Sequence, residues 1–356
     1  MLPARPEIAR STLRALAALQ GSREDPGTDE EPGKIVHEWW PRAPRRFREA
    51  GWPVRAGELR YYGSADATQW FLVLLASLGD RSLTRELKPS WRAAAGWLER
   101  ALARGGGLVR HGPRRAPGGL AQQGWRDAED PADPAHHGAG ILDPTGGAPE
   151  PPLADADTQA VSVVALRALA VLSGEERWRT TAEKLSAAIG EAFDPETVAV
   201  AAGGKRVPGV GSQLGWLLWA DALPQPARAE AAERLCRPDV FTPWGLRTLS
   251  SEDPLYAADA YHRGAAWPFD SWLGWGGLRA TGETEKAEQL RLGILEAIET
   301  IGQAPELFAV SPDGPRLIPI ANRLQAWTAG ARWALEHEWD GRAPPLFRPG
   351  PHAQRR

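Results

Sequence analysis

The sequence predicts an all-α fold made of two concentric rings of helices. Apolar residues recur at the three- and four-residue spacing of helices, and the two-residue alternation of strands is nearly absent. Segments such as 71–76 and 161–166 are apolar on every side, so they must be buried all round. Segments such as 91–100 and 283–299 carry charges on one face. Buried helices that alternate with half-exposed helices predict an inner ring wrapped by an outer ring.

Ten helices are predicted along the chain, and several have recognisable ends. Asp155 and Asp157 can cap the fourth helix, Pro224 follows the sixth, and Gly282 separates the eighth from the ninth. The ten segments lie near residues 7–19, 66–78, 89–103, 157–172, 175–193, 211–221, 226–236, 268–281, 283–300 and 322–338.

The loops that lead into the apolar helices share polar and aromatic residues. These loops are Tyr61–Asp66, Leu153–Gln159, Val210–Gln213, Tyr261–Pro268 and Ile320–Gln325. If the inner helices run parallel, their N-termini meet at one mouth of the ring. A funnel lined by Tyr, Trp, Asp, Gln and His suits a neutral polyol better than a phosphate.

Composition excludes several classes of protein. The 356 residues are 42% hydrophobic and 24% charged, which is typical of a globular chain. A net charge of −3 gives no electrostatic footprint for a nucleic acid or an anionic membrane. The single cysteine, Cys236, excludes an intramolecular disulfide and suits a cytoplasmic protein. We expect no membrane span, no nucleic-acid partner and a cytoplasmic location.

Tryptophan is unusually frequent, with 17 residues against 7 Phe and 4 Tyr. The C–H face of a pyranose ring is apolar, and the indole offers the largest flat aromatic face for it. Tryptophan can equally fill a helical core. The position of several Trp residues in polar loops favours a carbohydrate ligand.

Two loop carboxylates are candidates for glycoside hydrolysis, which needs one acid and one base or nucleophile. Asp127 follows Trp125 in the loop Gly124–Asp130, where an apolar neighbour can raise the pKa of an acid. Glu306 stands alone among apolar neighbours in Ala304–Phe308. The alternatives are a solvated acidic loop and a simple turn carboxylate.

Other chemistries lack their motifs, so we expect neither a metal nor a cofactor. The acidic run that ends at His136 and His137 has no calcium-loop or zinc-protease spacing. Gly105–Gly107 lacks the strand and the Lys-Ser/Thr of a phosphate loop. A serine nucleophile elbow and the acid motif of terpene cyclases are both absent from the sequence.

Six segments follow one another between about residues 8 and 335 in a familiar order. They are Pro32–Glu38, Tyr61–Thr68, Gln123–Asp127, Tyr261–Asp270, Pro305–Phe308 and Gln325–Gly330. Together they resemble the amylo-α-1,6-glucosidase, or glycogen-debranching-like, family of six-hairpin glycosidases. The resemblance implies an (α/α)6 barrel and inverting hydrolysis of α-glucosidic bonds. The implied substrate is an oligosaccharide or a small α-glucoside, and mannosylglycerate or glucosylglycerate hydrolases are near neighbours of the family.

The resemblance also assigns roles to residues. Asp127 matches the general acid and Glu306 the general base, a pair that in inverting enzymes is about 6.5–9.5 Å apart. The residues that fall in the family's sugar-binding segments are Tyr62, Asp66, Trp125, His262, Arg263, Trp267 and Gln325.

Two features depart from the family pattern. Arg126–Asp130 reads Arg-Asp-Ala-Glu-Asp where the family has Lys-Asp-Ser-Gly-Asp. The family barrel begins with a helix entered through an Arg-Asp motif, whereas this chain opens at Leu2–Arg10, and ten helices are two short of twelve. We therefore expect a catalytic domain over 1–340 that lacks the first helix pair, and a tail over 341–356. A truncated or mis-started reading frame, a separately encoded N-terminal part or a degenerate, non-catalytic carbohydrate-binding relative would each account for this. The expected protein partner is either a second copy, in a homo-oligomer, or the separately encoded part.

Overall fold

All ten predicted helices are present in the computed structural model, which describes residues 4–133 and 138–347. Three shorter helices, α2, α4 and α13, join them. The helices are α1 (Pro6–Ala18), α2 (Arg45–Glu49), α3 (Ala67–Leu78), α4 (Arg81–Glu86), α5 (Lys88–Arg104), α6 (Ala156–Ser173), α7 (Arg177–Ala192), α8 (Gln213–Trp219), α9 (Ala227–Leu235), α10 (Pro268–Thr281), α11 (Thr284–Ile301), α12 (Ala326–Glu336) and α13 (Pro344–Phe347).

The long helices form the predicted double ring. Helices α3, α6, α8, α10 and α12 contact one another in that order, and α1 packs on α3. Helices α5, α7, α9 and α11 lie behind them, each against the inner helix that precedes it in the chain. Every residue of α8 is buried, whereas α7 buries only one stripe, at Trp178, Ala182, Leu185 and Ile189. The chain therefore has the all-α, (α/α)6 type of architecture that the alternation of helices predicted.

Short strands are the main departure from the sequence prediction. The strands are β1 (Glu38–Trp40), β2 (Val54–Arg55), β3 (Glu58–Tyr61), β4 (Ala154–Asp155), β5 (Thr197–Val200), β6 (Arg206–Pro208), β7 (Phe241–Thr242), β8 (Gly245–Leu246), β9 (Phe308–Ser311) and β10 (Gly314–Leu317). They form antiparallel sheets in the orders β1-β3-β2, β4-β5-β6, β7-β8 and β10-β9. Two to four residues are too few to show an alternating pattern, so periodicity could not reveal them.

Part of the predicted tail packs on the barrel. Ala343 and Leu346 are buried, and the ring of Phe347 lies 5.6 Å from that of Trp219 on α8. Burial of the apolar side chains of Leu346 and Phe347 against the barrel stabilises this position of the segment. Residues 348–356 of the predicted tail lie outside the described residues.

Helix α6 is both long and apolar. Over its 18 residues it is long and apolar enough to cross a membrane, but 78% of that stretch is buried inside the protein. The core helix of a ring needs the same apolar surface on all sides, since neighbours surround it.

Helices α8 and α10 approach closely because three glycines lie at their crossing. A methyl group on Gly215 would come within 2.6 Å of the Cα atom of Gly274, and one on Gly277 within 2.7 Å of the carbonyl oxygen of Gly215. Both partners are backbone atoms, so the contact has no flexible side chain to absorb a larger residue.

We expect Gly215→Ala to destabilise the protein by about 1–3 kcal/mol, since the helices must separate to admit the methyl group. Gly96→Ala on α5 is the control. Its methyl group would meet only the end of Arg100, at 3.4 Å, so the helix should gain about 0.5–1 kcal/mol. Urea unfolding measures both. Equal stability of the Gly215→Ala variant and the wild type would contradict the close crossing.

Candidate active site

The loop that carries Asp127 is a tight turn closed by its own backbone. Gln122 and Ala128 exchange backbone hydrogen bonds of 3.1 and 3.2 Å across the turn. The amide of Ala65 donates to the carbonyl of Gln123 at 2.7 Å, which joins the turn to the loop before α3. Asp127 is thus held next to the N-terminal end of an inner helix.

Arg126 fastens this loop to the inside of the ring. Its side chain is 2% exposed, and its guanidinium donates to Asp157 Oδ2 at 3.0 Å and to Ser212 Oγ at 3.1 Å. It also donates to the carbonyls of Thr248 at 2.9 Å and His262 at 3.4 Å. Four acceptors from four separate segments therefore fix the residue beside Asp127. A lysine at this position could not bind all four, because only Arg carries five N–H donors in a fork.

The carboxyl of Asp127 lies between two imidazoles. His37 Nε2 is 3.9 Å from Oδ2, and His262 Nε2 is 3.9 Å from Oδ1. Burial raises the pKa of Asp127 and the charge of Glu129 adds to the rise, while His37 opposes it. Burial also lowers the pKa of His37, and it lowers that of His262 well below the usual value. Neutral imidazoles leave Asp127 able to hold its proton, which a general acid requires.

Glu306 has the opposite surroundings. Its side chain is almost fully buried, and its two oxygens receive four hydrogen bonds. Tyr261 Oη at 2.8 Å and Gln325 Nε2 at 3.3 Å donate to Oε1. The backbone amide of Asn322 at 3.2 Å and its Nδ2 at 3.0 Å donate to Oε2. These four donors therefore fix the positions of both carboxyl oxygens.

Tyr261 and His262 connect the two carboxyl groups. Tyr261 binds Glu306, and its ring centroid is 4.8 Å from that of His262, which in turn adjoins Asp127. Burial raises the pKa of Tyr261, and the charges of Glu306 and Asp127 raise it further. The charges of both carboxyl groups thus raise the pKa of the same phenol. A continuous chain of contacts through Tyr261 and His262 therefore links Asp127 to Glu306.

Trp125 and Trp267 form a wall beside His262. The rings of His262 and Trp267 are stacked at 5.0 Å and 7°, and Trp125 meets both edge-on at 4.8 and 5.4 Å. Both indoles are more than nine-tenths buried, so they support the pocket instead of offering an open platform for a sugar. Neither ring nitrogen of His262 has a hydrogen-bond partner among the described residues. Both nitrogens are buried, so His262 acts on the site through its 3.9 Å approach to Asp127 and its stacking on Trp267.

The remaining predicted residues divide into two groups. Burial raises the pKa of Asp66 to about 6, and the charges of Asp155 and Asp127 contribute, so Asp66 lies near Asp127, one of the candidate pair. Gln325 contacts Glu306 directly. Tyr62 and Arg263 are not brought to the pair.

Both of these side chains serve the scaffold. Tyr62 donates to the carbonyl of Leu19 at 2.7 Å, at the end of α1. Arg263 donates to the carbonyls of Gly138 at 3.4 Å and Leu255 at 3.5 Å. A residue in a motif can therefore face away from the site even where its neighbour in the chain faces it, because adjacent side chains in a loop point in different directions.

Sequence reasoning missed four side chains of the site. His37, Arg126, Tyr261 and Asn322 all contact a candidate carboxylate or its loop. Each lies inside or beside a segment that carried the family resemblance. Position next to a candidate residue in such a segment is therefore the sequence signal that could have identified them. His136 and His137 lie outside the described residues.

Three buried carboxyl groups lie below the mouth of the ring. His111 Nε2 is 3.1 Å from Asp155 Oδ2 and lowers the pKa of that carboxyl against the effect of burial. Burial raises the pKa of Asp157 to about 7, although Arg126 opposes the rise. Burial raises the pKa of Asp270 to about 6. Asp157 Oδ1 and Asp270 Oδ2 have no hydrogen-bond partner among the described residues, which fits groups that keep a proton.

The chain resembles known glycoside hydrolases in sequence and in fold. Residues 74–308, which include Asp127 and Glu306, match the family model of the mannosylglycerate hydrolase MGH1-like glycoside hydrolase domain. No curated protein sequence matches the chain significantly. The sequence prediction of a glycoside hydrolase is confirmed at this level, whereas its glycogen-debranching branch stays a prediction.

Solved structures from Thermus thermophilus share the fold. A GH63 mannosylglycerate hydrolase in complex with Tris and D-glycerate has a TM-score of 0.64 and 16% identity, over 93% of this chain and 89% of that chain. The same enzyme in complex with glucose has a TM-score of 0.62 and 16% identity, over 92% and 88%. An uncharacterized conserved protein has a TM-score of 0.63 and 16% identity, over 92% and 87%.

Asp157 should make the folded protein less stable as the pH rises. The folded carboxyl keeps its proton up to about pH 7, whereas the unfolded carboxyl loses it near 3.8. Between these values unfolding releases a proton, so a higher pH favours the unfolded chain. Asp157→Asn, which mimics the neutral acid, should lose less stability than the wild type on going from pH 4 towards pH 7.

Urea unfolding across this pH window tests the prediction. Glu299→Gln, at an exposed carboxyl on α11, is the control and should follow the wild type. Parallel stability curves for Asp157→Asn and the wild type would refute a proton held at Asp157.

Proposed function

The chain belongs to the mannosylglycerate hydrolase MGH1-like glycoside hydrolase family, and we propose that it hydrolyses an α-glycosidic bond between a hexose and a small polar aglycone with inversion. The supporting observation is the contrast between two carboxyl groups at one mouth. Asp127 lies between neutral imidazoles, and Glu306 accepts four hydrogen bonds. One group is set to give a proton and the other to take one.

The two groups have complementary roles in the proposed reaction. Asp127 donates its proton to the glycosidic oxygen as the bond from that oxygen to the anomeric carbon breaks. Glu306 takes a proton from a water molecule, whose oxygen attacks the anomeric carbon from the opposite face. The sugar leaves with inverted configuration, Asp127 ends ionised and Glu306 protonated. Exchange of protons with solvent restores both. No cofactor enters this scheme.

The substrate class follows from the family and from the pocket. A solved relative is a mannosylglycerate hydrolase and was captured with glucose and with D-glycerate, a hexose and a small polar acid. The partly exposed carboxyl of Asp66, whose pKa is raised, suits a hydroxyl group as its ligand. Mannosylglycerate and glucosylglycerate are therefore the first substrates to test. The motif resemblance keeps α-1,6-linked glucans as the second candidate.

Asp127→Asn and Glu306→Gln should each lower kcat by about 100-fold to 10,000-fold, the usual contribution of a general acid or base. The assay is a panel of mannosylglycerate, glucosylglycerate, isomaltose, maltose and limit dextrin, with proton NMR to identify the first anomer released. Asp130→Asn, an exposed carboxyl in the same loop, is the control and should keep wild-type activity.

The outcomes of this panel test the stereochemistry, the roles of the two carboxyl groups and the non-catalytic alternative. Release of the β-anomer from an α-glycoside supports inversion, and release of the α-anomer contradicts it. Wild-type rates in both carboxyl variants would remove the proposed roles. Binding of sugars without turnover by the wild-type protein would instead favour a non-catalytic carbohydrate-binding relative.

Tyr261→Phe tests the surroundings of Glu306. Loss of the phenol removes one hydrogen bond to a charged group, so kcat should fall about 10- to 100-fold, while KM changes little. Tyr256→Phe removes a phenol that meets only Arg247, at 3.3 Å, and is the matched control. A kcat equal to that of the control would show that Tyr261 does not orient the base.

A further inference from the structure

A second cavity lies behind the loop that carries Asp127. Its volume is about 300 Å³, which is the lower end of the range for small-molecule sites. Six charged residues line it: Asp29, Glu31, Lys34, Arg104, Arg110 and Arg115. Neither Asp127 nor Glu306 is among its lining residues, so the cavity is separate from the candidate active site.

Positive charge exceeds negative charge in the wall of this cavity. Glu31 pairs with Arg104 at 2.7 Å and with Arg115 at 3.4 Å, and Asp29 pairs with Arg115 at 3.3 Å. Arg115 also reaches the exposed Glu24 at 3.6 Å, just outside the wall. The two acids are thus occupied by two arginines. Lys34 and Arg110 remain as the unbalanced cations.

Lys34 is buried without a full set of acceptors. Its side chain is 5% exposed, and its ammonium group has only a 3.4 Å hydrogen bond to the Asp29 carbonyl and a 3.9 Å ion pair with Glu31. An ammonium group has three N–H donors, and a buried charge is costly when its donors are not satisfied. Burial accordingly lowers the pKa of Lys34.

The backbone holds Lys34 in this position. Gly33 has a φ of +87°, and a methyl group there would lie 2.0 Å from the carbonyl oxygen of Ala93 on α5. Only glycine permits this close approach. It sets the ammonium of Lys34 5.9 Å from the ring of Trp97, whose indole N–H also lacks a hydrogen-bond partner among the described residues.

Arg110 is the second unbalanced cation. Its guanidinium donates to the carbonyls of Gly105, Pro152, Val200 and Ala201, at 3.1–3.3 Å, and pairs with no carboxylate among the described residues. Burial lowers its pKa. A guanidinium that meets only neutral acceptors keeps its charge available to an anion.

We propose that this cavity binds a small oxyanion, either a phosphate or the carboxylate of a small acid, at Lys34 and Arg110. Such a group supplies the acceptors that Lys34 lacks and balances the excess charge. The cavity adjoins the catalytic loop through Gln123, which lines it four residues before Asp127. The proposal does not depend on the reaction proposed above.

Isothermal titration calorimetry with inorganic phosphate and with lactate tests the site. The wild type should bind at least one of the two saturably, and the stronger binding identifies the source of the oxyanion. Arg110→Gln should weaken that binding at least about tenfold, the loss expected when a hydrogen bond between charged groups is removed. Lys34→Met should do the same if it folds, which thermal unfolding checks. Arg110 is only half-buried, so its variant keeps the test decisive.

Two controls place the binding. Lys184→Met removes an exposed positive charge on α7 and should bind like the wild type. Glu306→Gln should also bind like the wild type, because it changes the catalytic mouth and not this cavity. Undetectable binding of both anions, or equal affinity in Arg110→Gln and the wild type, overturns the proposal. Loss of binding in Glu306→Gln alone would locate the anion in the active site and also overturn it.

Discussion

The buried hydrogen bonds of Arg126 are the constraint on which the candidate site depends. One guanidinium reaches the carboxyl group of Asp157 on α6, a hydroxyl before α8 and two loop carbonyls. Removing any acceptor would leave a buried donor unsatisfied, which costs more than the net contribution of an average hydrogen bond. The position of the Asp127 loop in the ring is therefore fixed by the barrel, while its own backbone closes the turn.

The two catalytic candidates differ because their neighbours differ. Burial holds His37 and His262 neutral, so the histidines beside Asp127 do not force it to ionise. Glu306 faces a phenol, two side-chain amides and a backbone amide, all of which donate to it. Two carboxyl groups that both lie in loops thus differ in chemical character because their surroundings differ.

The segment around residues 33–38 runs between the proposed oxyanion cavity and the candidate active site. Gly33 packs on α5 and places Lys34 in the oxyanion cavity. Three residues later His37 lies 3.9 Å from Asp127. The segment is held by two backbone hydrogen bonds: the amide of Gly21 donates to the carbonyl of Lys34 at 2.9 Å, and the amide of His37 donates to the carbonyl of Tyr61 at 2.8 Å. Lys34 in the oxyanion cavity and His37 beside Asp127 therefore belong to one stretch of backbone.

The sequence by itself determined the ring of helices and the segments that build the mouth. Helical periodicity and apolar faces are local properties, so all ten long helices could be predicted near their observed bounds. The order of the six motifs along the chain identified Asp127 and Glu306 as the candidate acid and base. The short strands, which fasten the loops between the helices, were too short to predict.

Only the tertiary structure decided which neighbours each loop side chain meets. Tyr62 and Tyr261 both stand in loops before inner helices, yet one binds the carbonyl of Leu19, 43 positions away, and the other binds Glu306, 45 positions away. Trp125 and Trp267 became a buried wall, and Lys34 joined a charged cavity built from distant segments. The proximity of such partners follows from ring closure and packing, which no local pattern encodes.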